Sequence, residues 1–98
     1  MDYCFDLDGT LCSDTNGEYE NATPKWDRIE RVNELYDEGN HITIDTARGS
    51  ATGIDWYKVT LDQLSIWNVK YHKLVVGKKT PADFYIDDKA ENADNFFS

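Results

Sequence analysis

Positive charge is in short supply in this chain. Ten Lys and Arg stand against nineteen Asp and Glu, a formal net charge of −9. Such a balance argues against nucleic-acid backbones and anionic membranes as primary partners. A phosphate ester remains open as a ligand only where local positive charge meets it, and a bound divalent cation is the direct source. Cysteine is scarce too. Cys4 and Cys12 are too few for a disulfide scaffold, and Cys4, inside an apolar run, reads as a buried core residue. No apolar run has the length of a membrane span, and Met1-Asp2-Tyr3 lacks the basic start of a signal peptide. A cytoplasmic location is therefore the expectation. Repeats, low-complexity tracts and linkers are also missing, so residues 1–98 are expected to form one domain.

Aromatic residues, by contrast, are plentiful: three Trp, six Tyr and four Phe. A chain of this size buries roughly 65% of the surface its unfolded form exposes, enough for a core without staples. Residues 3–7 read as a short apolar strand that runs into Asp8-Gly9, a turn signal. Residues 11–22 are polar, with Asn16-Gly17 as a tight turn and a small hairpin flap as the expected form. Thr23-Pro24 reads as an N-cap with proline at the first helical position. Trp26, Ile29, Val32, Leu35 and Tyr36 then keep a helical period up to Gly39, the expected C-cap. Residues 41–46 are β-rich and end at Arg48-Gly49. Asp55 is placed to cap a second helix with Tyr57, Leu61, Leu64 and Trp67 on one face. Residues 71–76 and 84–86 read as strands. The order β, flap, α, β, α, β, β predicts an α/β fold, a mainly parallel sheet with helices packed on its faces. In such sheets ligands bind at the carboxyl ends of the strands. Those ends are where Asp6, Asp8, Thr46, Lys78, Asp87 and Asp88 fall.

The segment Asp6-Leu7-Asp8-Gly9-Thr10 carries the chemistry. A carboxylate at a strand end can attack phosphorus and form an aspartyl-phosphate. A second one, two residues on, can protonate the leaving alcohol and later activate water. Gly9 lets the backbone turn sharply, so that Asp8 comes back to the same place. The alternative is a surface Asx turn, which a bare Asp-x-Asp would favour.

Phe5-Asp6-Leu7-Asp8-Gly9-Thr10-Leu11 resembles the first motif of the haloacid dehalogenase superfamily, mostly Mg²⁺-dependent phosphatases, and the other family motifs follow in order. Thr46, in Ile44-Asp45-Thr46-Ala47-Arg48, resembles the second. Its hydroxyl and the Ala47 amide would hold a phosphoryl oxygen, although Asp45 departs from the apolar or small residue usual there. Arg48 suits a phosphate or substrate contact, and a solvated loop arginine is the alternative. The third motif is a lysine, Lys78 in Val76-Gly77-Lys78, with Lys79 and Lys89 as competitors. Asp87-Asp88 resembles the fourth.

The resemblance implies a three-layer Rossmann-like core and Mg²⁺ held by the Asp6 carboxylate, the Asp8 carbonyl and Asp87. Asp88 would act through water or orient the lysine. It also implies catalytic roles for Asp6, Asp8, Thr46 and Lys78, and substrate contacts from Thr10, Ala47 and Arg48. Several carboxylates meeting without a cation would repel one another, and a dication with a lysine removes that cost. Residues 11–22 and 49–70 are too short for a cap domain. The site is thus expected to be open, suited to a large substrate or to a homo-oligomer whose neighbouring subunit forms the lid. A small-molecule phosphomonoester, with a sugar phosphate suggested by short capless relatives, is the expected substrate. A nucleotide or polynucleotide-end phosphatase and a catalytically idle Mg²⁺ and phosphate-binding module are the alternatives.

Overall fold

A computed structural model describes residues 1–49, 52–77, 84–87 and 91–97. Along the chain come β1 (Asp2–Asp6), α1 (Trp26–Asp37), β2 (His41–Thr46), α2 (Tyr57–Ile66), β3 (Lys73–Val76), β4 (Phe84–Asp87), β5 (Glu91–Asn92) and α3 (Ala93–Phe96). The strands form one sheet in the order β3-β2-β1-β4-β5, and every pairing is parallel. The fold is therefore α/β with a parallel sheet, as the element order implies. From β1 the chain steps outward to β2 and β3, then returns to place β4 and β5 on the other side. That reversal makes the crevice between β1 and β4 the topological switch point. β5 and α3 go beyond the sequence expectation. With two and four residues they are too short for any period to register.

Register places Tyr3 beside Ile42 and Phe5 beside Ile44, so these four share one face of the sheet. Phe5, Ile42 and Ile44 join Ile29, Val32 and Leu35 of α1 and Leu64 of α2 in one apolar cluster. Each such aliphatic side chain, once fully buried, stabilises the fold by about 2 kcal/mol. Phe96 and Phe97 dock on this cluster, with Phe96 edge-on to Phe5 at 5.7 Å. The Arg28 guanidinium lies over the Phe97 ring and pairs with Asp94. Both phenylalanines are half-buried against the core. The opposite face carries Cys4, Thr43 and Asp45, all buried. Asp45 is thus interior, which no period in the sequence announces.

α1 shows both the strength and the limit of local signals. Its polar side, Glu30, Arg31, Glu34, Asp37 and Glu38, is exposed, as its pattern requires. At its C-terminus Gly39 sits at φ +96°, donating to the Tyr36 carbonyl at 3.0 Å while Asn40 donates to Leu35 at 3.2 Å. These are the two bonds of a Schellman cap. The N-terminus corrects the expectation: Lys25 occupies the N-cap and no side chain caps the helix. Thr23 and Pro24 instead close the base of the preceding loop. Ser13 N–H donates to the Thr23 carbonyl at 2.8 Å, Thr23 N–H donates to Ser13 Oγ at 3.0 Å, and Cys12 bridges to Pro24. Pairing across the loop thereby overrides the capping signal. Trp26, expected on the buried stripe, is 58% exposed; the stripe begins at Ile29.

The expected hairpin flap is a loop rather than two strands. Its tip is the tight turn Asn16-Gly17, both at positive φ, closed by Glu18 N–H donating to Thr15 at 3.2 Å. A 3-10 turn at Tyr19–Asn21 follows. His72 has a structural role: its Nδ1 accepts from Ile42 N–H at 3.1 Å and its ring stacks on Tyr36 and His41. Among the described residues no helix is long and apolar enough to cross a membrane.

Candidate active site

Parallel strands present their last residues at one edge of a sheet. Here Asp6 ends β1, Thr46 ends β2 and Asp87 ends β4. Phe5 pairs with Ile86 and Thr46 with Val76, so these ends are level with one another. Adjacent strands lie about 4.8 Å apart, which brings the ends of β1 and β4 to the two sides of the switch-point crevice. For Asp87 the description covers the backbone alone. Lys78, Lys79, Asp88 and Lys89 lie outside the described residues. Among the described residues no group of three or more acidic, His or Cys side chains is gathered to hold a metal ion. Of the expected ligand set, Asp6 and Asp8 have described side chains, and Asp87 has a described strand position.

After β1 the chain coils tightly. The amides of Thr10, Leu11 and Cys12 all donate to the Leu7 carbonyl at 2.9–3.2 Å, and Gly9, at φ +81°, donates to Cys12. The coil turns Asp8 back over the strand ends, as its glycine predicts. Thr10 is buried in this coil, and its carbonyl accepts from Arg28 Nη1 at 3.1 Å. Cys12 is buried beside Asp8. Burial, with the Asp8 carboxylate adding to it, pushes its thiol from 9.0 up to about 12. Because this acid is harder to ionise folded than unfolded, its contribution is intact below pH 9 and is lost as pH rises from 9 towards 12. Iodoacetamide at pH 8 is accordingly expected to leave Cys12 unmodified in the folded protein and to label it in urea, as peptide mass spectrometry would report.

Arg48 is not the solvated loop residue that one reading of the sequence allows. Its side chain is 0% exposed and that of Asp8 is 19% exposed. Arg48 Nε donates to Asp8 Oδ2 at 3.0 Å and Nη2 donates to Oδ1 at 2.8 Å, a two-pronged ion pair. The other prong, Nη1, donates to Thr60 Oγ1 at 3.0 Å and to Gln63 Oε1 at 2.7 Å. The guanidinium lies 4.7 Å from the Tyr19 ring centre. Thr46 completes the network: its hydroxyl donates to Asp8 Oδ2 at 3.2 Å and accepts from the Arg48 amide at 3.3 Å.

This network explains a correction to α2. Its buried face is Thr60, Gln63 and Leu64, continued by Trp67, whereas Tyr57 and Leu61 are 47% and 38% exposed. Hydrophobic periodicity selects Tyr57 and Leu61. A buried guanidinium needs acceptors, and the helix turns Thr60 and Gln63 to it instead. The N-cap of α2 is Trp56 rather than Asp55; Asp55 stands one residue before it and accepts from Tyr57 N–H at 2.9 Å. Thr60, Gln63 and Tyr19 were missed in the sequence; polar residues three apart on an otherwise apolar helix are the one signal that would have found the first two.

A cleft of about 470 Å³ opens at this edge, lined by Asp6, Asp8, Asp14, Tyr19, Ala47 and Arg48. Ala47 is exposed there, beyond Thr46. Gly49 forms the next bend at φ +84°, where a Cβ would collide with the Ile54 carbonyl oxygen. Gly49→Ala is expected to cost about 1–3 kcal/mol, visible in a urea melt, because both the dihedral and the contact oppose it.

The same fold occurs in a crystal structure of a structural-genomics (MCSG) target from Vibrio cholerae. The match has 33% sequence identity and a TM-score of 0.79, covering 100% of this chain and 89% of that one. The chain belongs to the family of that Vibrio cholerae protein. No family model matches the chain, and no curated protein does.

Proposed function

We propose that the protein is a Mg²⁺-dependent phosphomonoester hydrolase of the haloacid dehalogenase type, capless and built on a three-layer Rossmann-like core. The observation that carries the proposal is the meeting of Asp6, Asp8 and Thr46 with the end of β4 at the switch point of a parallel sheet. Asp6 Oδ attacks phosphorus in line, the ester P–O bond breaks, and an aspartyl-phosphate forms. Asp8 gives its proton to the departing oxygen, then takes one from the water that hydrolyses the acyl phosphate. Thr46 and the Ala47 amide would steady a phosphoryl oxygen, and Thr10 and Arg48 would help shape the phosphate site. Lys78 would offset the charge of nucleophile and phosphate.

Carboxylate and carbonyl oxygens are the donors that Mg²⁺ prefers, so the chemistry of Asp6, Asp8 and Asp87 with Asp88 fits the ion. When bound, Mg²⁺ would lower the repulsion between nucleophile and phosphate. A small-molecule phosphomonoester, a sugar phosphate first among them, is the substrate class, with a cytoplasmic setting in keeping with two buried free thiols. A second subunit is the proposed source of a lid.

One observation favours a second reading, a catalytically idle Mg²⁺ and phosphate-binding module: the Asp8 carboxylate is engaged by Arg48 and Thr46 and would serve structure without any chemistry. Hydrolysis of a chromogenic aryl phosphate with and without Mg²⁺ separates the two. Mg²⁺-dependent release of phosphate is the expected result. Its absence, across sugar phosphates, nucleotides and phosphorylated polynucleotide ends as well, would leave the binding module standing.

A further inference from the structure

We infer that a hollow beside the cleft, walled by Tyr19 and Trp56, is the subsite for the alcohol part of the substrate and selects an uncharged ring with an apolar face. The inference rests on the proposed hydrolysis, because it names what the phosphoryl group is attached to. The hollow has a volume of about 320 Å³ and shares Gly17, Tyr19 and Ala47 with the cleft that holds Asp6 and Asp8. The two are therefore continuous. An ester whose phosphoryl oxygen is steadied at the Ala47 amide has its carbon skeleton beside this hollow. Ligand pockets run from about 300 to 1,000 Å³, and a volume near the bottom of that range suits one ring with its substituents better than a nucleotide or a polymer end.

The walls set the chemistry. Gly49, Ile54 and Trp56 continue the lining, and among the described residues that form it none is charged. The guanidinium of the adjoining cleft, Arg48, is already paired with Asp8. An alcohol part carrying a carboxylate or a second phosphate would thus meet no cation there. Trp56 stands edge-on to Tyr19, with ring centres 5.0 Å apart and planes at 85°, so the two rings form a corner. Both are half-buried and held by other contacts. The Tyr19 ring lies against the Arg48 guanidinium, and its carbonyl accepts from Gln63 Nε2 at 2.7 Å. Trp56 heads α2, its carbonyl accepting from Thr60 N–H at 3.0 Å. The bend at Gly49 makes room for the indole, since a Cβ there would stand 3.2 Å from Trp56 Cδ1. Aromatic rings already fixed in place offer contact at small entropic cost, and a ring that packs on them gains burial as well as edge or face contact. An aryl ring has such a face, and a pyranose presents one through its axial C–H bonds. An open-chain polyol has none.

The test measures kcat/KM with Mg²⁺ for benzyl phosphate, glucose-6-phosphate and sorbitol-6-phosphate, the last bearing hydroxyls without a ring, in the wild type and in Trp56→Ala. The wild type should prefer one or both ringed esters. Trp56→Ala should lose about 10-fold on a preferred ester, the scale of one aromatic contact with its buried area, and less than about threefold on sorbitol-6-phosphate. A loss on benzyl phosphate alone identifies an aryl ring, and one on glucose-6-phosphate alone a pyranose. Equal losses on all three would overturn the inference and assign Trp56 to the fold, and a wild type without ring preference would overturn it as well. If Trp56→Ala melts below the assay temperature, Ile54→Ser supplies the comparison: Ile54 is 56% exposed, so the fold tolerates the change, and the ring preference should fall a few-fold. A wild type inert on all three esters would remove the phosphatase reading. The subsite is then decided by calorimetry with phosphonates, which are not hydrolysed. Benzylphosphonate should bind more tightly than methylphosphonate by a margin that Trp56→Ala removes, whereas equal affinity or no binding overturns the subsite too.

Discussion

Asp8→Ala is expected to destabilise the protein by about 3 kcal/mol or more, because it leaves a buried guanidinium without its counter-charge. The Arg48 side chain is 0% exposed and Asp8 supplies its one carboxylate among the described contacts. Thr60 and Gln63 would remain as neutral acceptors on one nitrogen, leaving Nε and most of Nη2 without a strong partner. For a domain of this size such a loss lowers Tm by on the order of 15 °C, readily measured by circular dichroism. Asp8→Asn keeps one carbonyl oxygen facing the fork and should cost less than half as much. An unchanged Tm in Asp8→Ala would mean that the ion pair contributes nothing to holding the coil after β1. Activity lost in Asp8→Ala is therefore meaningful only when read beside its melting curve.

Asp6→Asn should do the opposite, removing phosphate release while leaving the fold in place. The carboxamide has the shape of the carboxylate, so the end of β1 can keep its geometry. It cannot form the acyl phosphate, and loss of a covalent nucleophile costs on the order of 10³-fold or more in kcat. Chelation of Mg²⁺ by EDTA should abolish the same activity reversibly. A variant that retains wild-type turnover with Mg²⁺ would show that Asp6 is no nucleophile. The pair of variants therefore separates two proposed roles: Asp6 as the nucleophile alone, and Asp8 as an acid and base that is also paired with a buried guanidinium.

The sequence was most legible where a signal is local. Gly39 closes α1 because a residue at φ +96° is needed there and glycine takes that conformation without strain. The strand at residues 41–46 and the turn at Asn16-Gly17 were likewise visible, since β-branched runs and Asn-Gly steps act over a few residues. Thr23-Pro24 was misleading for the complementary reason. Its capping signal is local, but the hydrogen bonds of Thr23 go to Ser13, ten residues back in the chain. α2 was misread in a similar way. Leu64 and Trp67 are buried as their period requires, but in place of Tyr57 and Leu61 the buried face takes Thr60 and Gln63, the acceptors demanded by Arg48, twelve and fifteen residues earlier.

By itself, then, the sequence determined the α/β order, the parallel sheet, the placing of Asp6, Thr46 and Asp87 at strand ends and that of Asp8 in the turn just after one. Strand ends are counted along the chain, and a run of apolar residues followed by a turn is enough to locate them. Only the tertiary structure decided what surrounds Asp8. The partners of a buried charge are chosen by whichever elements pack over it, and here that brought Arg48, Thr60 with Gln63, and Tyr19 together from three separate places in the chain. Burial in a low-dielectric interior makes those partners obligatory, and no pattern along the sequence records which they will be.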